Sequence, residues 1–252
     1  MKTAVLSLSA IALLTACGGS GTGSTSIETL WRSPTNSGAG VVRAKDANNN
    51  SVAMVQDVNN AGKYQSFELV QTITETQNSD GSYSGEYVLR MADGSTTNVI
   101  ARLYSSAALY ANINQNSTTF VAGGLAASNL PVGNYNYSGY ASSLYYYSGS
   151  AYAEEGTFSM DVQFQNRTAQ LNARTTESQF YDTSIALNNA GELSGNGVFI
   201  IYDTDGVTEL ERRNISFNGT LHDSGATHVS GIAIGGATTT DDLSIMAVVG
   251  SR

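Results

Sequence analysis

The sequence is poor in the residues that usually carry chemistry. Among 252 residues there is one cysteine, two histidines, two prolines and one tryptophan. A lone cysteine excludes an intramolecular disulfide, so packing and hydrogen bonding must hold the fold together. His222 and His228 leave little material for a zinc centre, which takes three or four protein ligands. Twelve Lys and Arg face twenty-one Asp and Glu, a formal net charge of −9, so no basic face is on offer to nucleic acid. No apolar run reaches the about 20 residues that a membrane-spanning helix needs. Convincing helical periodicity over ten residues is missing as well. Only a short helix near 26–32 fits the pattern.

The cysteine has a context. Lys2 precedes an apolar stretch from Ala4 to Leu14, which has the length of a secretory core of about 7–15 residues. Leu14-Thr15-Ala16-Cys17 then resembles the bacterial lipobox. Residues 1–16 are therefore expected to be a lipoprotein signal peptide, with Cys17 the lipidated residue and 17–30 the anchor and Gly/Ser tether. Two or more acyl chains on Cys17 would give stable attachment. Gly18, in place of the Asp that retains lipoproteins in the inner membrane of well-studied Gram-negative bacteria, points to the outer membrane. The pattern leaves the periplasmic or cell-surface side open.

What the chain has in quantity is glycine and tyrosine, 26 and 14 of them, with 41 % apolar residues. This is the composition of β-structure with many turns. Alternation of side chains begins near Val52. Phe67, Leu69 and Ile73 share one parity, as do Tyr83, Gly85, Tyr87, Leu89 and Met91. Asp80-Gly81 and Asp93-Gly94 mark hairpin turns on either side of the second group. Residues 31–127 are expected to form an antiparallel meander. The small residues before Pro131 read as a junction. Beyond it the alternation sharpens, with Phe158, Met160, Val162 and Phe164, then Ala169, Leu171 and Ala173. Leu193 to Ile201, Ile215 to Leu221 and Leu243 to Val249 follow. With strands near 134–141, 183–188 and 226–236, residues 128–252 make about eight, which suits an antiparallel β-barrel. The bulky inward parity (Phe158, Met160, Phe164, Leu171, Phe199, Ile201, Phe217, Leu221) predicts a filled interior.

Candidate reactive groups are few. His222, Asp223 and Ser224 are neighbours, but a catalytic triad is defined by convergence and not by adjacency, so they read as a polar turn. Asp203, Asp205 and Gly206 suit a hairpin turn or a weak cation site, and the calcium-loop pattern is incomplete. Glu154 and Glu155 must diverge from a strand. The segment 135–152 holds seven tyrosines. It reads either as filler of a half-exposed sheet or as a contact surface for a protein or glycan. Alternation prevents Tyr145, Tyr146 and Tyr147 from all facing inward, so at least one is expected on an outer face or loop as a binding residue.

The second half of the chain resembles the β-barrel domain of the transferrin-binding protein B family of surface lipoproteins, which includes factor H binding protein. The resemblance is carried by "FVAGG", "LPVGNYNYSGY", "EGTFSMDVQFQNRTAQLNA", "ELSGNGVFI", "SGIAIGG" and the terminal "AVVGSR". It implies an all-β chain with an N-terminal handle-like antiparallel β-domain followed by the eight-stranded barrel, in a single lobe. No nucleophile–base pairing and no metal-ligand set can be argued from the residues, so no enzyme activity and no cofactor are expected. The function expected is a lipid-anchored envelope lipoprotein, a monomer, that binds a macromolecule through barrel loops or outer face. The alternatives are a structural envelope protein or a small-molecule carrier with a pocket of about 300 Å³ or more, in the barrel or at the domain junction.

Overall fold

The computed structural model describes residues 35–45, 51–57, 68–90, 94–113, 117–124, 127–236 and 242–252. The expected signal peptide, Cys17, the tether and the short helix near 26–32 lie outside the described residues. All regular structure among the described residues is β. Seven strands come first: β1 (Thr35–Lys45), β2 (Ser51–Asp57), β3 (Glu68–Gln77), β4 (Tyr83–Arg90), β5 (Thr96–Leu103), β6 (Ala107–Ile113) and β7 (Ser117–Gly124). They form one antiparallel sheet in the order β2-β1-β7-β6-β5-β4-β3. Both predicted turn glycines sit where expected, Gly81 at φ +80° between β3 and β4, and Gly94 at φ +83° between β4 and β5. Such backbone angles favour glycine because it has no Cβ.

Eight strands follow: β8 (Asn134–Tyr147), β9 (Ser150–Gln163), β10 (Thr168–Arg174), β11 (Ser178–Leu187), β12 (Glu192–Tyr202), β13 (Glu209–His222), β14 (His228–Gly235) and β15 (Ser244–Ser251). Each pairs antiparallel with the next, and β15 returns to β8 to close a barrel. Closure removes the unpaired edges that an open sheet would expose.

The interior is full. Phe158, Met160, Val162, Phe164, Leu171, Phe199, Ile201, Phe217 and Leu221 are buried in a single cluster, which also takes Tyr137, Tyr145 and Phe180. An eight-stranded barrel is just wide enough for side chains of this kind. Phe180 and Phe217 stack at 6.1 Å. Phe217 lies so close over the backbone of Gly219 and Gly231 that a Cβ on either would approach its ring to 2.8 Å and 2.5 Å. Gly219 and Gly231 are thus seats for the Phe217 ring.

A second apolar cluster joins the two sheets. Ala107, Leu109, Phe120 and Ala122 of β6 and β7 meet Leu144, Tyr146, Ile232, Ile245, Ala247 and Val249 of β8, β14 and β15. Consequently β15 is buried on both faces. Met246 and Val248 line the barrel interior, while the parity singled out in the sequence, Leu243, Ile245, Ala247 and Val249, packs with the N-terminal sheet.

One expectation fails in β3. Sequence parity groups Ile73 with Phe67 and Leu69, but the register shifts between Leu69 and Gln71 and again between Thr72 and Thr74. The bulges leave Val70 and Ile73 as the extra residues, and both are exposed. Each bulge breaks the two-residue period, and β3 is an edge strand of the sheet. Phe67 lies outside the described residues.

Candidate functional site

The tyrosine-rich segment becomes β8 and the first part of β9, and the structure places its three central rings in different settings. Tyr145 points into the barrel, buried, stacked on Tyr152 at 5.2 Å, with its hydroxyl donating to Glu154 at 3.2 Å. Burial comes first and the Glu154 carboxylate second in pushing the Tyr145 phenol far above its usual range. Tyr146 faces the other way and is buried in the cluster between the sheets. Tyr147, at the hairpin tip, is half-buried. Strand parity does separate Tyr145 from Tyr146. The expectation takes the outer face as open to solvent, and here that face is covered by the N-terminal sheet. Neither Tyr145 nor Tyr146 offers a free surface; of the three, only Tyr147 retains one.

Glu154 and Glu155 diverge. Glu154 turns to the barrel end, where its carboxylate accepts from Ser178 Oγ (3.2 Å), the Glu177 backbone N–H (3.1 Å) and the Thr175 hydroxyl. Nearby Glu177 has its carboxyl pushed up, first by burial and then by the charges of Glu154 and Asp203. Glu155 points to the junction beside Tyr140.

The 203–208 turn satisfies itself. Asp205 Oδ1 accepts from the backbone N–H of Val207 and Thr208, both at 2.8 Å, and Oδ2 from Thr208 Oγ1 at 2.6 Å. The Thr208 hydrogen bonds hold the Asp205 carboxyl below its ordinary value. No group of three His, Cys, Asp or Glu arranged for a metal occurs among the described residues.

His222, Asp223 and Ser224 do not converge, and residues 223–226 form the polar turn read from the sequence. His222 is buried at the end of β13, with Nε2 2.8 Å from Ser230 Oγ. Asp223 turns to Thr227 and Ser224. His228 instead meets the β5–β6 turn, with Nδ1 2.7 Å from Ser106 Oγ and Nε2 3.2 Å from Ser105 Oγ. Burial lowers its pKa from 6.5, and the Asp223 carboxylate partly opposes this. His228 is thus a polar rivet between the two sheets. Sequence reasoning missed it, because its partners lie more than a hundred positions away.

Of the depressions among the described residues, two bear on the site. The larger, about 560 Å³, lies on the outer face of the barrel over β9 to β13. Tyr181 and Tyr202, both half-buried, sit among Asp161, Asn172, Gln179 and Arg212. Cross-strand hydrogen bonds hold these groups: Tyr202 to Gln179 at 2.8 Å, Gln179 to Asn172 at 2.8 Å, and Arg212 to Tyr181 at 2.8 Å. Arg174 covers the Tyr202 ring at 4.9 Å. The floor coincides with a register shift between Tyr181 and Ala186, where Asp182 is buried and accepts from the Ser184 N–H at 2.8 Å. Such outward positions alternate with the core along each strand, so their parity was readable, but nothing in the sequence set them apart from other surface residues. The smaller depression, about 110 Å³, lies between the sheets. It is smaller than the pocket expected of a carrier.

No protein-family profile and no curated protein matches the sequence. Solved structures do match the fold. Intact Ap-TbpB, with N and C lobes, superposes at a TM-score of 0.58 with 12 % identity, over 86 % of this chain and 46 % of that one. A single-substitution mutant of transferrin binding protein B from Haemophilus parasuis gives 0.54 and 10 %, over 86 % and 45 %. The isotype 1 protein from serogroup B Neisseria meningitidis gives 0.51 and 9 %, over 86 % and 43 %. The chain spans less than half the length of these proteins. A closed eight-stranded barrel beside an antiparallel sheet, matched over most of this chain, gives it the fold of a transferrin-binding protein B-like lobe.

Proposed function

We propose that this chain is a non-enzymatic envelope lipoprotein, held in the outer membrane by lipid on Cys17, that binds a macromolecular partner through the outer face and loops of its barrel. The observation that carries the reading is the filled interior: Tyr137, Phe180, Phe199 and Phe217 occupy the space that a carrier would keep for cargo. Affinity then has to reside outside. The outer face of β9 to β13 offers two tyrosines held by neighbouring amides and an arginine. Tyr and Arg anchor interfaces because they bring large area and directed hydrogen bonds at small entropic cost. Tyr147, partly exposed at the β8–β9 tip, is a second point of contact. The likeness to transferrin binding proteins supports a protein as the partner class; the ligand in their names is theirs. The test is capture of extracellular or neighbouring-cell proteins on fragment 27–252, repeated with Tyr181→Ala/Tyr202→Ala. A partner held by the parent and lost from the double variant supports the reading. Equal retention by both moves the site elsewhere.

A further inference from the structure

The described chain enters the fold at one end of the barrel. Thr35 pairs with Gly124, and a Cβ on Gly124 would stand 2.8 Å from Nδ1 of His222, the last residue of β13. At this end β8, β10, β12 and β14 start, and β9, β11, β13 and β15 stop. The connecting segments are tied to one another there. Phe164 N–H donates to Gly133 O at 3.1 Å, Leu221 N–H to Gly191 O at 2.8 Å, and Arg252 N–H to Thr227 O at 3.1 Å. Residues 18–34 separate Cys17 from Thr35. Fully extended, that stretch reaches no more than about 60 Å.

The two ends of the barrel differ in chemistry. At the entry end Val132 is 74 % exposed, and Tyr135 beside it is exposed as well. The Arg252 guanidinium lies 3.8 Å from the centre of the Tyr135 ring. Arg167 is exposed in the β9–β10 turn. Neither arginine pairs with a carboxylate among the described residues. The acids of this end are occupied by their own turns: Glu192 accepts from Asn188 at 2.6 Å and Asp223 from Thr227 at 2.8 Å. The opposite end carries Glu177, Asp203, Asp205, Glu209 and Glu211 against Arg174, Arg212 and Arg213. Two of those arginines are taken, Arg212 by Glu209 and Arg213 by Glu211. Unpaired cations beside apolar side chains thus mark the end at which the chain enters, and surplus carboxylates mark the other.

We propose that the entry end docks on an anionic phospholipid surface, with Val132 and Tyr135 at the boundary between headgroups and acyl chains and Arg167 and Arg252 on lipid phosphates. Tyrosine suits that boundary because its ring is apolar and its tip polar. Arginine matches phosphate with a planar fork of donors. A tether of limited reach keeps this end close to the bilayer, so contacts too weak to hold a free protein suffice. The inference rests on the anchor proposed at Cys17. It stands the lobe upright, with the acidic end away from the membrane and the outer face of β9 to β13 open at its side.

The experiment places an environment-sensitive dye on single-cysteine forms of the chain from residue 17, each with Cys17→Ser and either Val132→Cys or Val207→Cys. Val207 is 78 % exposed at the acidic end. An N-terminal hexahistidine holds each form on vesicles of phosphatidylcholine, phosphatidylglycerol and a nickel-chelating lipid, with nitroxide on a share of the headgroups. Attachment here does not need lipid on Cys17, so failure of docking and failure of lipidation are read separately. The dye at position 132 is expected to shift to shorter wavelength and to be quenched, and the dye at 207 to do neither. Arg167→Glu with Arg252→Glu, both at exposed positions, should weaken docking by about fivefold for each arginine removed and lower the quenching at 132 accordingly. The proposal is overturned if the two dye positions respond alike, if the dye at 132 is not quenched, or if the charge reversal leaves its quenching unchanged.

Discussion

Gly231→Ala is the sharpest test of the packed barrel. The substitution adds one carbon, and that carbon would stand 2.5 Å from Cζ and 2.7 Å from Cε2 of Phe217. The ring has little room to retreat. It is buried in the barrel interior and stacks on Phe180 at 6.1 Å. Overpacking of this sort costs about 1–3 kcal/mol. Phe217→Leu alone removes part of the ring and should cost about 1–2 kcal/mol, less than the about 3–5 kcal/mol of a full truncation to Ala. Combined, the two changes should not add. Leucine vacates the space that the new methyl needs, so the double variant should be no less stable than Phe217→Leu, a coupling of about 1–3 kcal/mol. The assay is urea unfolding followed by far-UV circular dichroism on all four proteins. Each 1 kcal/mol corresponds to about 2–4 °C in Tm for a chain of this size, so thermal melts provide a second readout. A Gly231→Ala variant within about 0.5 kcal/mol of the parent, or strict additivity in the double variant, would refute the idea that glycine here is a seat for the ring.

Three further outcomes are expected. Cys17→Ser should abolish lipid attachment and release the protein from the membrane fraction; an unchanged mature mass and equal retention would dispose of the anchor. Phe164, buried against the edge of Tyr135 at 5.9 Å, should cost about 3–5 kcal/mol on truncation to Ala, and Gln163→Ala within about 0.5 kcal/mol, as compared by denaturant midpoints. His228 has its pKa lowered below 6.5 in the fold, mainly by burial, so the unfolded chain takes up the proton first. Its contribution is full above pH 6.5 and declines as the pH falls below that value; the midpoint of His228→Gln, measured from pH 7.5 to 5, should decline less.

Much of the barrel was legible because its strands bury one face only. Along 157–164 and 168–174 polar and apolar residues alternate without a break, and burial follows them residue by residue. Legibility fails where a second surface covers the strand. Leu144, Tyr146, Ile245 and Ala247 look from sequence like residues awaiting a core or a partner, and the N-terminal sheet supplies it. It also fails at bulges, where Ile73 is turned out to solvent and Asp182 sits buried beside Gly195. Of the candidate site, the tyrosines were visible as a composition, but their division between barrel, junction and tip depends on which side of β8 the other sheet occupies. The outer-face depression and the smaller one between the sheets each draw on four or more strands, a convergence that spacing along the chain does not encode.

The position of β15 has a consequence for how the chain reaches its native state. It pairs with β8, whose residues lie about a hundred positions earlier, and such distant contacts are the slow ones to form. Until it docks, β8 lacks its seam partner and the N-terminal sheet lacks part of the surface it rests on. Neither half has a complete core to settle into alone. The barrel and the sheet beside it should therefore assemble in one late, all-or-none event, and a nascent chain that lacks these eight residues stays loose along its whole length. Under the export proposed for this chain, postponed closure would keep the polypeptide pliable during transit.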